Sequence, residues 1–494
     1  MSTSRTVATV AALLDAVDRR FEVIEVLGTI CGVPRITLAP GVMLTGGALC
    51  FGGKGVRLTC DNVLDDISVV TPVDEVAIYN DLEVEDFGTL WLRQVHTIGQ
   101  VSFTVGGRVR TGHLCIEGLH VDEADVRGRS DRPSGYGVET IQGAFTLWNR
   151  SADPEVVVTA DLTDIGAGTA EHPIRGCGVL VCGVPGGGTL GVKRLRTGEI
   201  HADGHIPPAT TDLIGGGVLV LSGAQIGQVV AAGPVTTYGH NDLAFDNWGE
   251  VAQWTVQGPA VSKGTGGSGF RNRGAITRLE FRAPLETFGH RANGFDLESG
   301  SVGEARFTTI VTHGDGAVGA RIGCRLRRLE ITGTLCTHGG EAFAGNYREP
   351  LPPKAFALRV DPGSVVEAVL IGGGIHTCGD GLASLHVDGT IGGLRVGGEI
   401  RATGRGSDAV RSEAHIPGLE EITLVARDGA GLVLQRETRA DAADPAGTVV
   451  PAAEPVATRG GDGLGGGRRG RTPYTPTSTD TGTGTEDPSL RQPV

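Results

Sequence analysis

Asp246, Arg271, Asp296 and Arg321 follow one another at steps of 25 residues, and Trp248, Arg273 and Glu298 stand two places after the first three. These are the parts of a saccharide site. Carboxyl groups exchange protons with a glycosidic oxygen or a water, guanidiniums hold or polarise an anionic group, and an indole face stacks on a sugar ring. If each step is one turn of a stacked chain, Asp246 and Asp296 lie about 9 to 10 Å apart, near the ~6.5–9.5 Å between acid and base in inverting glycosidases. Asp246 and Asp296 are then the candidate acid and base. Arg271 is a third catalytic candidate, as an electrophile or as the base of a β-elimination from a uronic acid. Standing between the two carboxylates, it also holds both ionised, which opposes an acid role. Trp248, Arg273, Glu298 and Arg321 are candidate substrate contacts, as are His240 and Asp242 of His240-Asn241-Asp242, beside the same group. The competing reading is an alternating ion-pair ladder that only stabilises its face.

Positioning these residues requires a periodic chain. Thr237-Tyr-Gly239, Ser262-Lys-Gly264, Thr287-Phe-Gly289, Thr312-His-Gly314 and Thr337-His-Gly339 repeat at 25 residues; Thr377-Cys-Gly379 follows after 40, and Gly404 and Gly429 restore the step. Six residues after the glycine comes an apolar column, Phe245, Phe270, Phe295, Ala320, Leu385 and Val410. Upstream, Val138, Val179 and Val218 are assigned to the same column. Fifteen residues after the glycine comes a second column, Trp254, Leu279, Leu329, Leu394 and Leu419, with Glu304 out of pattern by one residue. Two apolar columns per 25 residues, with glycine turns and no helical period, predict an all-β solenoid: a right-handed parallel β-helix. Strand alternation then sends 245 and 247 inward and 246 and 248 outward. Asn247 and Asn272 form a buried amide ladder on this reading.

The expected organisation is an N-terminal cap helix and lead-in strand over 1–40, a β-helix over 41–436 and a disordered Gly/Pro/Thr-rich tail over 437–494. Within the cap, residues 5–19 read as an amphipathic helix with Val7, Val10, Leu14 and Val17 on one face. Loops are expected at about 128–137, 167–177, 205–216 and 340–354, all from one corner. They would cover the apolar outward residues Leu180, Cys182, Leu219 and Leu221 and wall off a floor carrying the charged ladder.

A helical cap, then Gly41-Val-Met-Leu-Thr-Gly46, then coils with turns such as Thr312-His-Gly-Asp-Gly-Ala-Val-Gly319, resembles the pectin-lyase-like superfamily. The resemblance covers about four fifths of the chain and implies the β-helical fold. That superfamily holds enzymes, phage tail spikes and adhesins, so fold does not decide function. Neither the three-aspartate arrangement of polygalacturonases nor the calcium cluster of pectate lyases is found, and no catalytic residue is carried over.

Composition narrows the classes. With 81 Gly among 494 residues but no strict triplet, the chain is not collagen, and no apolar run is long enough to span a membrane. A formal charge of −14 argues against nucleic acid as a partner. Nine cysteines without paired spacing do not form a disulfide framework. Gly52-Gly-Lys-Gly55 lacks the hydroxyl residue of a phosphate loop, and Cys177 and Cys182 have no second pair with zinc spacing. His240, His290, His313 and His338 cluster on neighbouring turns, where turn geometry explains polar residues. No cofactor and no metal are expected. The first 20 residues lack a convincing export signal, so the expected compartment is the cytoplasm. Two readings follow: a carbohydrate-active hydrolase, transferase, epimerase or lyase, or a non-catalytic β-helical scaffold for binding or assembly. The expected partner is a saccharide or another polar small molecule, with homo-oligomerisation open and no membrane association.

Overall fold

A computed structural model describes residues 4–343 and 352–434. The tail expected over 437–494 and the middle of the excursion expected over 340–354 lie outside the described residues. Within them the chain is a parallel β-helix. Phe245, Phe270, Phe295 and Ala320 pair in parallel register across successive coils, then Leu358, Leu385 and Val410. On the facing sheet Trp254 pairs with Leu279 and Leu279 with Ala305. That last pairing explains Glu304: one added residue, in the turn at Gly300, shifts the column by one.

The Thr-x-Gly repeat has a direct physical cause. Thr237, Ser262, Thr287, Thr312 and Thr337 point inward and are fully buried. Each hydroxyl donates to a carbonyl beyond its turn: Thr237 to Asp242 O (3.0 Å), Ser262 to Gly267 O (2.6 Å), Thr287 to Ala292 O (2.5 Å) and Thr312 to Ala317 O (2.9 Å). A buried carbonyl thereby gains a hydroxyl donor in each of these coils. The glycine two places on is required by stacking, because a Cβ at Gly264, Gly289, Gly314 or Gly339 would run into the carbonyl oxygen of the glycine one coil below.

Aromatic rings fill the core at the centre of the rod. Phe245 and Phe270 lie 6.0 Å apart, Phe270 and Phe295 6.2 Å, and Trp254 meets Phe270 edge-on at 5.1 Å. The amide ladder forms as expected, Asn247 Nδ2 donating to Asn272 Oδ1 at 2.8 Å with both residues fully buried.

Three details differ from the sequence reading. Parallel pairing begins with Ser4–Val7 against Val23–Val26, inside the segment assigned to the cap, because Ile24, Leu44 and Leu64 already stack as one buried column. The helix is Val10–Asp18, N-capped by Thr9, and its fully buried residues are Leu13 and Ala16, while Val7 belongs to the preceding strand. Val138 is not in the Phe245 column. Phe145 takes that place opposite Val179, since residues 134–140 turn back as a short antiparallel ladder and consume the count.

Candidate functional site

The outward column runs in register through Leu219, Asp246, Arg271, Asp296, Arg321, Arg359, His386 and Arg411. Its first part is sealed. Leu180 and Leu219 are fully buried, and the 128–137 loop crosses to the coil of Asp246, where Tyr136 meets Trp248 edge-on at 5.3 Å and donates from its hydroxyl to Arg273 O at 3.2 Å. Three of the excursions adjoin one another: Asp125 bridges to Arg175, Ile174 to Ala202, and Glu139 pairs with Leu213.

This cover changes the roles open to several candidates. Trp248 is 5 % exposed and cannot present a face to a sugar. Asp246 is fully buried and engaged at both oxygens, by Trp248 Nε1 at 2.9 Å and by Arg271 at 2.5 and 3.3 Å. It is a structural counter-ion with no path to a substrate. Arg273 lies against Tyr136 and Trp248 and forks onto Glu298 at 2.8 and 3.2 Å, so both of these expected contacts are spent within the protein. The Arg273 fork is the nearer cause that pulls the Glu298 carboxyl below its ordinary value, against the rise that burial brings. Asp242 turns inward. Its Oδ2 accepts from the backbone N–H groups of Gly204 (2.6 Å) and Gly239 (3.1 Å), and burial pushes its pKa up to about 8.

Beyond that cover the column opens into a cleft of about 670 Å³, with Arg271, Asp296, Arg321, Arg359, His386 and Arg411 on its floor and Pro353, Lys354 and Phe356 at its side. A second concavity of about 730 Å³ meets it at Gly266 and Arg291 and holds His240, His290 and Phe343. The two form one groove along the rod. Phe343, 93 % exposed, is the aromatic surface the groove offers.

Asp296 and Asp388 are the carboxyls that line the cleft, and Asp296 is the one with a buried oxygen free of hydrogen bonds. Its residue exposure is 6 %; Oδ2 accepts from Asn293 Nδ2 at 2.9 Å, while Oδ1 has no hydrogen bond and stands 3.6 Å from Arg321 Nη1. Burial raises its pKa, opposed by Arg321, Asn293 and Arg271. Arg321 also donates to Asp361 at 2.8 Å, which fixes the guanidinium over the floor. His386 stacks flat on Phe356 at 4.4 Å, its Nε2 3.0 Å from Asp388 Oδ2 and its Nδ1 unpaired; burial lowers its pKa.

The structure therefore brings Arg271, Asp296 and Arg321 together and places His240 in the adjoining concavity. It removes Asp246, Trp248 and Asp242 from the accessible floor. Sequence reasoning missed Arg359, His386, Asp388, Arg411, Asn293 and Phe343. The signal for two of them was present: His386 and Arg411 continue the outward column once the 15-residue excess after Gly339 is removed, whereas Arg359 falls two residues short of that count. Among the described residues no three His, Cys, Asp or Glu side chains stand close enough to hold a metal ion, and no helix is long and apolar enough to cross a membrane. No protein family, curated protein or solved structure matches this chain.

Proposed function

We propose that the chain is a carbohydrate-active enzyme of the pectin-lyase-like kind, and that the groove takes an acidic saccharide. The observation that carries this reading is the buried Oδ1 of Asp296, which has no hydrogen bond and stands 3.6 Å from Arg321 Nη1, with Arg271 on the same floor of an open cleft. A buried carboxyl oxygen left without a hydrogen bond costs stability, and such groups cluster where chemistry needs them. Flanking arginines suit a uronate carboxylate, which they can neutralise through paired N–H donors.

With Asp246 sealed, the carboxyls lining the cleft are Asp296 and Asp388, and Asp388 is engaged by His386 Nε2 at 3.0 Å, which favours β-elimination with Asp296 as the base over the hydrolysis by Asp246 and Asp296 expected from the sequence. Arg271 and Arg321 hold the uronate carboxylate and lower the cost of charge developing on it. Asp296, ionised, takes the proton from the carbon next to that carboxylate. The bond from the neighbouring ring carbon to the glycosidic oxygen breaks as a ring double bond forms, and the protonated Asp296 returns its proton to the leaving oxygen. Phe343 offers the stacking surface first expected of Trp248. The length of the groove suits an oligosaccharide.

The test is a panel of neutral and uronic oligosaccharides followed by ultraviolet absorbance of the conjugated double bond. Turnover of a uronide that Asp296→Asn lowers by about 10²- to 10⁴-fold supports the reading. Binding without turnover by any member would support the scaffold instead, the reading favoured by the many arginines already paired within the protein, such as Arg411 with Asp408 at 2.6 Å.

A further inference from the structure

A further concavity, of about 530 Å³, lies between the segments 125–133 and 204–213 and is lined by Arg127, Arg129, Arg132, Asp74, Asp125 and His205 among others. It is distinct from the groove: residues 205–207 and Leu213 line it, while Pro208, Ala209 and Thr211 line the concavity on the other side of the same excursion.

Its three guanidiniums are not equivalent. Arg127 forks onto Asp125 at 2.9 and 2.6 Å, and Arg175 lies 3.8 Å from the same carboxylate, so Asp125 is neutralised within the protein. Arg132 reaches Glu139 at 3.4 Å and donates to Arg127 O at 3.0 Å. Arg129 has only neutral acceptors: Nε donates to Gln100 Oε1 at 2.9 Å and Nη2 to Asp74 O at 2.9 Å. Among the described residues it makes no ion pair. A guanidinium has five N–H donors, so three of those of Arg129 are left for a ligand.

The position of Arg129 is fixed from beneath. Gln100, its partner, donates to Gln142 Oε1 at 2.9 Å and to Gly143 O at 3.0 Å, and Gln142 in turn donates to Asp131 O at 2.7 Å. This buried amide relay ties the Arg129 segment to the coil below it. Burial also lowers the pKa of Arg129, opposed by the charges of Glu75, Asp74 and Asp125 nearby, none of which makes an ion pair with it.

We infer that this concavity is a second ligand site, taking the oxyanion group of a phosphate or a carboxylated sugar, with Arg129 as its principal contact and Arg132 and Arg127 beside it. A planar fork with free N–H groups matches such anions in geometry as well as charge. The volume accommodates a free anion or a single sugar acid. This site does not depend on the function proposed for the groove.

The experiment is calorimetric titration of the full chain with inorganic phosphate and, separately, with glucuronate, at constant ionic strength set by chloride. Saturable binding of either probe, weakened at least tenfold by Arg129→Gln, supports the site. Phosphate alone identifies a free oxyanion as the ligand, and glucuronate alone a sugar acid. Should Arg129→Gln fail to fold, Arg132→Gln must weaken binding several-fold. Wild-type affinity in the folded variants, or no binding of either probe beyond that of chloride, overturns the inference.

Discussion

Asp246 and Trp248 sit two residues apart on the same outward face, and the indole Nε1–H donates to the carboxylate at 2.9 Å while Arg271 approaches it from the next coil. With Tyr136 packed against the indole, an outward-facing strand becomes an interior, and a charge pair is held there almost out of water.

Breaking that pair one partner at a time is expected to be severe. Asp246→Ala leaves the Arg271 guanidinium, 13 % exposed, without its counter-ion, and is expected to cost about 3–5 kcal/mol. The double variant Asp246→Leu with Arg271→Met is expected to recover much of that loss. Urea unfolding of the singles and the double checks this; equal losses in single and double variants contradict it.

On the proposed function, the pH profile of uronide turnover reports on Asp296. Its active form as a base is ionised and its pKa is raised, so the acid limb of kcat/KM is expected above the ordinary carboxylate value of about 4. Arg321 is among the groups holding that pKa down, so Arg321→Gln is expected to move the limb further up. A limb that stays put in Arg321→Gln places the titrating group elsewhere.

Asp242 predicts a pH dependence of stability. Its folded pKa, about 8, is above the unfolded value, so the folded state binds its proton more tightly. Stability from this group is complete below pH ~4 and falls by up to about 1.4 kcal/mol per pH unit until the folded group also ionises near pH 8. Asp242→Asn keeps an oxygen for the N–H groups of Gly204 and Gly239 and removes the titration. The stability of the variant relative to wild type is expected to rise between pH 5 and about 8, measured by denaturation at each pH; a constant difference refutes the assignment.

The aromatic core gives a prediction independent of function. Phe270 touches Phe245, Phe295, Trp254 and Phe281, with ring centroids between 5.1 and 6.2 Å. Phe270→Ala is expected to cost about 3–5 kcal/mol, and Phe270→Leu much less. A denaturation midpoint near wild type for Phe270→Ala rules out the stacked core.

The coil and its register were legible in the residues themselves. A threonine that closes a turn, a glycine that lets turns stack and a phenylalanine that meets its own kind one coil away are each demanded by local sterics and hydrogen bonding. Those demands recur at every coil and print themselves into the chain as columns. From them follow the inward and outward faces, the Asn247–Asn272 amide ladder and the vertical order Asp246, Arg271, Asp296, Arg321. Where the period stretched, after Gly339, the apolar column was still legible at Leu385 and Val410, but the outward neighbours His386 and Arg411 were not read from it.

Exposure was a different matter, and the tertiary structure decided it. Tyr136 reaches Trp248 from far away in the chain, through a loop that obeys no period, and its landing place depends on contacts with coils it does not belong to. That one cover turns Asp246 from a candidate acid into a counter-ion and leaves Asp296 at the head of the open groove. The unpaired donors of Arg129 arise in the same way, from an excursion placed by Gln100 and Gln142. Alternation along a strand says which way a side chain points; what lies in front of it is settled by chain segments that only meet once the protein is folded.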